Sequence, residues 1–213
     1  MVTTHQYLGK YPIAMDSEKL IVGTIHPQDY TKFVIPFFYG NVNSIWTILS
    51  DAFPNDLKRP LTLNGILKFL RDKKISVSDT ILSCERKNLT ALDTDLIPIE
   101  LNRKIIADIK NSKIKEVLFT SGFGKNSAFK LFYADILGLK ITSEIRERRE
   151  VMLDNQIFGR PIKLTILYSP SGASNVGLSQ SKLYLANKKK YENSSRPVYD
   201  FKVDYYREKF GKN

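Results

Sequence analysis

Apolar residues along the chain follow two alternating rhythms. KLIVGTI (Lys19–Ile25) is a short apolar run ending at a turn, and its length and branching predict a buried strand. SIWTILSDAF (Ser44–Phe53) sets Ile45, Ile48, Leu49 and Ala52 at helical spacing. LTLNGILKFLRDKK (Leu61–Lys74) reads as a second helix, and the β-branched ISVSDTILS (Ile75–Ser83) as a strand. A helix over LNRKIIADIKNS (Leu101–Ser112) then precedes a strand over IKEVLFTSG (Ile114–Gly122). KNSAFKLFYADILG (Lys125–Gly138) is helical, RPIKLTILYSPSG (Arg160–Gly172) is a strand running into a turn, and VDYYREKF (Val203–Phe210) closes the chain as a helix.

Strands alternating with helices predict a single-domain, three-layer α/β/α fold around a central, mostly parallel sheet of about four to five strands. Ligands in such sheets bind beyond the carboxyl ends of the strands. The informative loops are therefore those after Ile25, Ser83, Thr120 and Tyr168. No internal repeat is visible. The lysine-rich stretch SQSKLYLANKKKYENSSRP (Ser179–Pro197) is either a mobile loop or an arm that contacts phosphate.

The 213 residues suffice for one sizeable core, and 42% hydrophobic with 26% charged content is ordinary for a globular chain. No apolar run approaches the roughly 18 residues of a membrane span, and no signal segment is expected. Cys84 is the only cysteine, which excludes an intrachain disulfide. With His5 and His26 as the only histidines, no metal cluster is visible. A reducing, cytoplasmic location, no cofactor and a monomeric state are expected. The formal charge of +11 changes the picture. It points to a polyanionic partner, usually nucleic acid, against the alternative of a merely basic surface.

Four stretches carry candidate chemistry. In GTIHPQDY (Gly23–Tyr30), the glycine permits close backbone approach, and Pro27 stiffens the turn. His26 is then a general acid, a phosphate contact or a structural residue. YSPSGASN (Tyr168–Asn175) offers small residues, hydroxyls and backbone N–H groups to a phosphate, or is a plain turn. Asp79 interrupts an apolar strand and must be paired there, with Arg86 and Asp93 as candidate partners. Its role is a structural ion pair or an acceptor that reads a base. In FFYGNVNSIW (Phe37–Trp46), Asn43 directly precedes the helical run; as an N-cap it contributes about 1 kcal/mol. One of Phe37 and Phe38 is expected in the core and the other facing a pocket.

Taken in order, these stretches resemble the uracil-DNA glycosylase superfamily, closest to its hypoxanthine and mismatch-specific branch. LIVGTIHP resembles the first family motif, and FFYGNVNSIWTIL the aromatic-pair stretch of that branch. KKISVSDTILSCER, with the later Leu92 and Asp93, resembles its strand ending in Asp, then Ser-Cys-x-Arg. SPSGASN resembles the Pro-Ser-Gly loop that contacts DNA, and the FTSG strand end fits the same layout. The resemblance covers about Leu20 to Asn175. The sequence departs from the pattern too. GTIHP has one residue more than the usual loop, and no Asp or Asn stands where other branches keep a catalytic polar residue. The second motif ends in Ala173-Ser174-Asn175, without a bulky wedge.

The resemblance implies base flipping followed by hydrolysis of an N-glycosidic bond. It makes Asn43 the catalytic asparagine, orienting a water and stabilising a developing sugar cation through its dipole. It places Gly23, Thr24, Phe37, Phe38, Asp79 and Ser83 against the base, with stacking on an aromatic worth about 1–3 kcal/mol. His26 is a further candidate donor to the leaving base. Ser169, Ser171, Gly172, Ala173, Ser174 and Asn175 are the implied DNA contacts. The basic Lys182, Lys188, Lys189, Lys190 and Arg196 are candidates for phosphate in single- or double-stranded DNA. Asp79 aligns with the asparagine that reads uracil in other branches. Ionised, it only accepts hydrogen bonds, which suits a base edge presenting N–H, such as hypoxanthine or a cytosine derivative. Rival readings are an inactive DNA-binding module, excision of modified bases from foreign DNA in defence, and an RNA-binding protein.

Overall fold

A computed structural model describes residues 2–41, 45–88 and 92–211. The described strands are β1 (Val2–Thr4), β2 (Lys19–Gly23), β3 (Ile75–Asp79), β4 (Ile81–Arg86), β5 (Leu96–Leu101), β6 (Glu116–Phe119), β7 (Glu150–Leu153) and β8 (Ile162–Ile166). The described α-helices are α1 (Ile45–Ala52), α2 (Leu63–Asp72), α3 (Ile105–Lys110), α4 (Ala128–Lys130), α5 (Ser143–Arg148), α6 (Asn155–Phe158), α7 (Asn175–Ser179), α8 (Lys182–Asn187) and α9 (Pro197–Gly211). Helix α4 runs on as a π-helical turn over Leu131–Ile136. The chain groups into two compact units, Met1–Thr31 with Leu70–Leu167, and Lys32–Phe69 with Tyr168–Asn213.

The first unit has a mixed α/β fold. Its five-stranded sheet has the order β3-β2-β6-β8-β7, with β3, β2, β6 and β8 parallel and β7 antiparallel. Every residue of β2 and of the edge strand β3 is buried, as parallel strands covered on both faces require. Leu20, Val22, Val117, Phe119, Leu164 and Ile166 share a core with Ile105 and Ile109 of α3 and with Phe129 and Phe132. The register sets Gly23 beside Asp79, and Val22 beside Phe119, so the strands' carboxyl ends stand level.

The run Ile75–Ser83 divides at Thr80. Hydrogen bonds from Thr80 N–H (3.0 Å) and Oγ1 (3.1 Å) to the Gly23 carbonyl end the parallel pairing. The chain then enters a second sheet, antiparallel, in the order β1-β4-β5. Its strand β5 ends on Leu101, the first residue assigned to the helix Leu101–Ser112, and α3 begins only at Ile105; Pro98 sits in β5 at the sheet edge.

In the second unit, α1 packs on α9. Arg207 Nε donates to the Ala52 carbonyl at 3.0 Å, and the rings of Tyr206 and Phe210 stack. The FFYG stretch is a tight turn closed by Ile35 N–H to the Gly40 carbonyl (3.1 Å) and Gly40 N–H to the Phe37 carbonyl (3.0 Å). A Cβ on Gly40 would lie 1.7 Å from the Ile35 carbonyl oxygen, so no other residue fits. No helix among the described residues is long and apolar enough to cross a membrane.

Candidate functional site

Ionisable side chains of the first unit gather where β2 and β3 end. Asp79 closes β3 and is 5% exposed. Its partner is neither Arg86 nor Asp93, as the sequence suggested, but His5, whose Nε2 lies 2.7 Å from Oδ2. His5 Nδ1 accepts from the amides of Tyr7 (3.1 Å) and Leu8 (3.2 Å), so its proton sits on Nε2 and is donated to the carboxylate. Asp79 Oδ1 is buried and has no hydrogen-bond partner among the described residues. Such an orphan in a native fold calls for an explanation.

His26 is fixed just as firmly. Its Nδ1 donates to the Pro27 carbonyl at 2.8 Å, and its Nε2 accepts from the Gln6 amide at 3.0 Å. Burial pushes its pKa below the usual histidine range, which keeps the ring neutral near neutral pH. This corrects the expectation of an acid or a donor at the base, because neither nitrogen is left to act. The ring instead packs against His5, Tyr7 and Tyr30, and it ties the N-terminal segment to the loop after β2.

Asp93 completes the group. Thr24 Oγ1 donates to its Oδ1 at 2.9 Å, and the Ser121 hydroxyl also binds it. Burial holds its carboxyl above the ordinary carboxylate range; the two hydroxyls oppose this, and the negative charge of Asp79 adds to it. Arg86 donates from Nη2 to the His26 carbonyl at 2.8 Å. Ser83 stands instead on β4, paired with Thr4 and Glu100 in the antiparallel sheet. No group of three or more His, Cys, Asp or Glu among the described residues is arranged for a metal. A groove of about 1000 Å³ in this unit is lined by Ser78, Asn102, Arg103 and Lys104 among others, but not by Asp79 or His26.

In the second unit, Phe37 and Phe38 are both buried, at 2% and 1% exposure. Their rings pack edge to face, and the Trp46 indole donates to the Phe38 carbonyl at 2.7 Å. The expectation that one of them faces a pocket is therefore not met. Asn43 lies outside the described residues. In the Ser169–Asn175 loop, Ser171, Gly172 and Ala173 are exposed, and Lys202 of α9 binds the loop from the buried side. The lysine-rich segment is α8 followed by a 3-10 turn, Lys188–Tyr191, rather than a loop. Buried Tyr184 and Tyr191 anchor it on Phe201. Lys182, Lys188 and Lys189 are exposed, whereas Lys190 is drawn to Asp204 at 2.7 Å and Arg196 lies over the Tyr199 ring.

Sequence reading missed His5 and Lys202. His5 carries no local signal, being 74 positions from Asp79. Lys202 does carry one: Val198, Lys202, Tyr206 and Phe210 recur at a spacing of four, which sets a lysine on an apolar stripe.

No protein-family model matches the chain, and no curated protein matches it. Among solved structures it is similar to a solution NMR structure from Methanosarcina acetivorans, provisionally described as a uracil DNA glycosylase. The two are 16% identical over 100% of both chains, with a TM-score of 0.49, a likeness too slight to assign a function.

Proposed function

We propose that the chain is a monofunctional DNA glycosylase, which extrudes a damaged or modified base and hydrolyses its N-glycosidic bond. The observation that carries this reading is the Asp79 carboxylate. One oxygen is held by His5, and the other is buried without a partner at the end of a parallel strand. A buried acceptor without a hydrogen bond needs an explanation, and a ligand that supplies the missing donor is one. An acceptor-only group suits a base edge with an N–H donor and disfavours one presenting a carbonyl. Uracil and hypoxanthine each present one ring N–H beside a carbonyl, so the substrate class that the carboxylate separates from uracil is an amino-bearing pyrimidine, with hypoxanthine a further candidate through its N1–H.

In this reading, Asn43 orients the attacking water and stabilises the sugar cation. Backbone N–H groups of the Gly23–Gln28 loop, with Thr24, receive the departing base. The Ser169–Asn175 loop and the exposed Lys182, Lys188 and Lys189 bind phosphate. Stacking on Phe37 or Phe38 has no support, because both rings are buried. The charge of +11 fits a DNA partner, and in this reading the protein acts as a monomer in the cytoplasm.

One observation favours a second reading, a DNA-binding module that does not cut. His26, the histidine of the first loop, is not free to act as acid or base, since both its nitrogens are engaged. Single-turnover release of free base separates the two. Labelled oligonucleotides carrying uracil, hypoxanthine, a G·T mismatch or a modified cytosine, in single and double strands, are incubated with wild type and Asn43→Ala. Release by wild type that is lost in Asn43→Ala is expected. DNA binding without release from any substrate points to the binding module.

A further inference from the structure

Helix α9 buries a lysine that has hydrogen bonds but no counter-charge among the described residues. Lys202 is 1% exposed, and its Nζ donates to Asn175 Oδ1 at 2.6 Å, the Ser171 carbonyl at 3.1 Å and Ser174 Oγ at 3.2 Å. Those bonds use all three donors of an ammonium group. No carboxylate among the described residues pairs with it, and burial pushes its pKa down to about 8. The nearby acids are engaged elsewhere. Asp51 on α1 binds Arg59 and the Tyr199 hydroxyl. On α9 itself, Asp200 binds Ser194, and Asp204 binds Lys190 and Arg207. The loop and α7 contain no ionisable residue.

Buried charges are ordinarily paired, because an isolated one is strongly disfavoured. Here the protein supplies neutral acceptors only, all from one loop. The outer side of that loop, at Ser171, Gly172 and Ala173, is open to solvent. We infer that Lys202 is the positioning residue of the Ser169–Asn175 loop: it fixes the loop and sets a positive charge behind it, and the open side takes a backbone phosphate of nucleic acid as the missing counter-ion. This rests on the nucleic-acid reading above, and adds the residue that shapes the loop and charges it.

The test uses the full chain as wild type, Lys202→Met and Asn175→Ala, each first shown to unfold cooperatively. Anisotropy measures binding of a labelled duplex oligonucleotide from about pH 6.5 to about pH 9.5 at fixed salt. Hydrogen exchange reads the loop amides at one pH. Lys202→Met is expected to bind about tenfold more weakly near neutral pH. Wild-type affinity falls as Lys202 loses its proton, and Lys202→Met lacks that part of the fall. Its loop amides exchange faster, and Asn175→Ala, which removes one acceptor, shows a smaller change of the same kind. Unchanged affinity with an unchanged pH response in Lys202→Met overturns the inference, as does unchanged loop exchange. If wild type binds no oligonucleotide, the nucleic-acid reading fails, and inorganic phosphate becomes the probe. Loop protection by phosphate in wild type, lost in Lys202→Met, then upholds the anion site; no protection in wild type overturns it.

Discussion

The end of the parallel sheet and the loop bound by α9 each leave a requirement unmet, and the two requirements differ. In the first unit, all four histidine nitrogens have partners, Asp93 takes two hydroxyls, and one carboxylate oxygen of Asp79 is among the buried atoms left without a hydrogen bond. In the second unit, every donor of Lys202 is bonded, and what is missing is a charge. A missing hydrogen bond to an acceptor calls for a neutral N–H donor, such as a base edge. A missing counter-charge calls for an anion, such as a phosphate. A nucleic acid carries both, so the proposed partner would meet both requirements.

The largest expected effect breaks the first arrangement. His5→Ala leaves the buried Asp79 carboxylate with no hydrogen bond on either oxygen, at a cost of about 3 kcal/mol or more by denaturant unfolding. If stability is unchanged, the His5–Asp79 pair is not the anchor described. The next effect belongs to the second unit and depends on pH. The unfolded chain keeps the lysine proton up to about 10.5, whereas the folded chain releases it at about 8. The unfolded state therefore binds more protons between these values, and folding stability rises with pH across that window. The drop is worth about 3 kcal/mol, so wild type should gain on Lys202→Met by up to about that much from pH 8 to 10.5. A constant difference between the two proteins across the window would show that Lys202 is not buried as a cation.

The smallest effect sharpens the contrast from the histidine side. The His26 pKa is held below 6.5 by burial, so its contribution to stability is present above that pH. It is lost as pH falls through the lowered folded value, because protonation must break the bond from the Gln6 amide. His26→Gln should lose this acid sensitivity below about pH 6.5, read as a flatter profile of melting temperature against pH. A profile parallel to wild type would mean that His26 is not locked neutral.

How much of this was legible in the sequence depends on the range of the interaction. The parallel strands β2, β3, β6 and β8 were legible because short apolar, β-branched runs have few other places to go. β1 is only three residues long, and β7 and β5 carry exposed positions, Met152 and Ile97 with Ile99, that blur their pattern. The break at Thr80 was not legible, since threonine favours strands. What ends the strand is the Gly23 carbonyl, reached 57 positions away. Asp79 was legible as a residue in need of a partner, because a carboxyl in an apolar run is conspicuous. The identity of that partner was not, because nothing near His5 marks it. Phe37 and Phe38 misled for a related reason: an aromatic pair beside glycine reads as a pocket lip, but the Trp46 indole and a tight turn at Gly40 draw both rings inward. Lys202 stood on a visible apolar stripe, which a helix begun at Val203 cuts short.

The central claim is that Asp79 reads an N–H donor on an extruded base, and substrate ranking in Asp79→Asn tests it most directly. Single-turnover release is measured from oligonucleotides differing only in uracil, hypoxanthine or a modified cytosine, with wild type and Asp79→Asn side by side. The account predicts that wild type prefers the amino-bearing modified cytosine to uracil, and that the amide, which both donates and accepts, moves the preference toward uracil. An unchanged ranking in Asp79→Asn would contradict it.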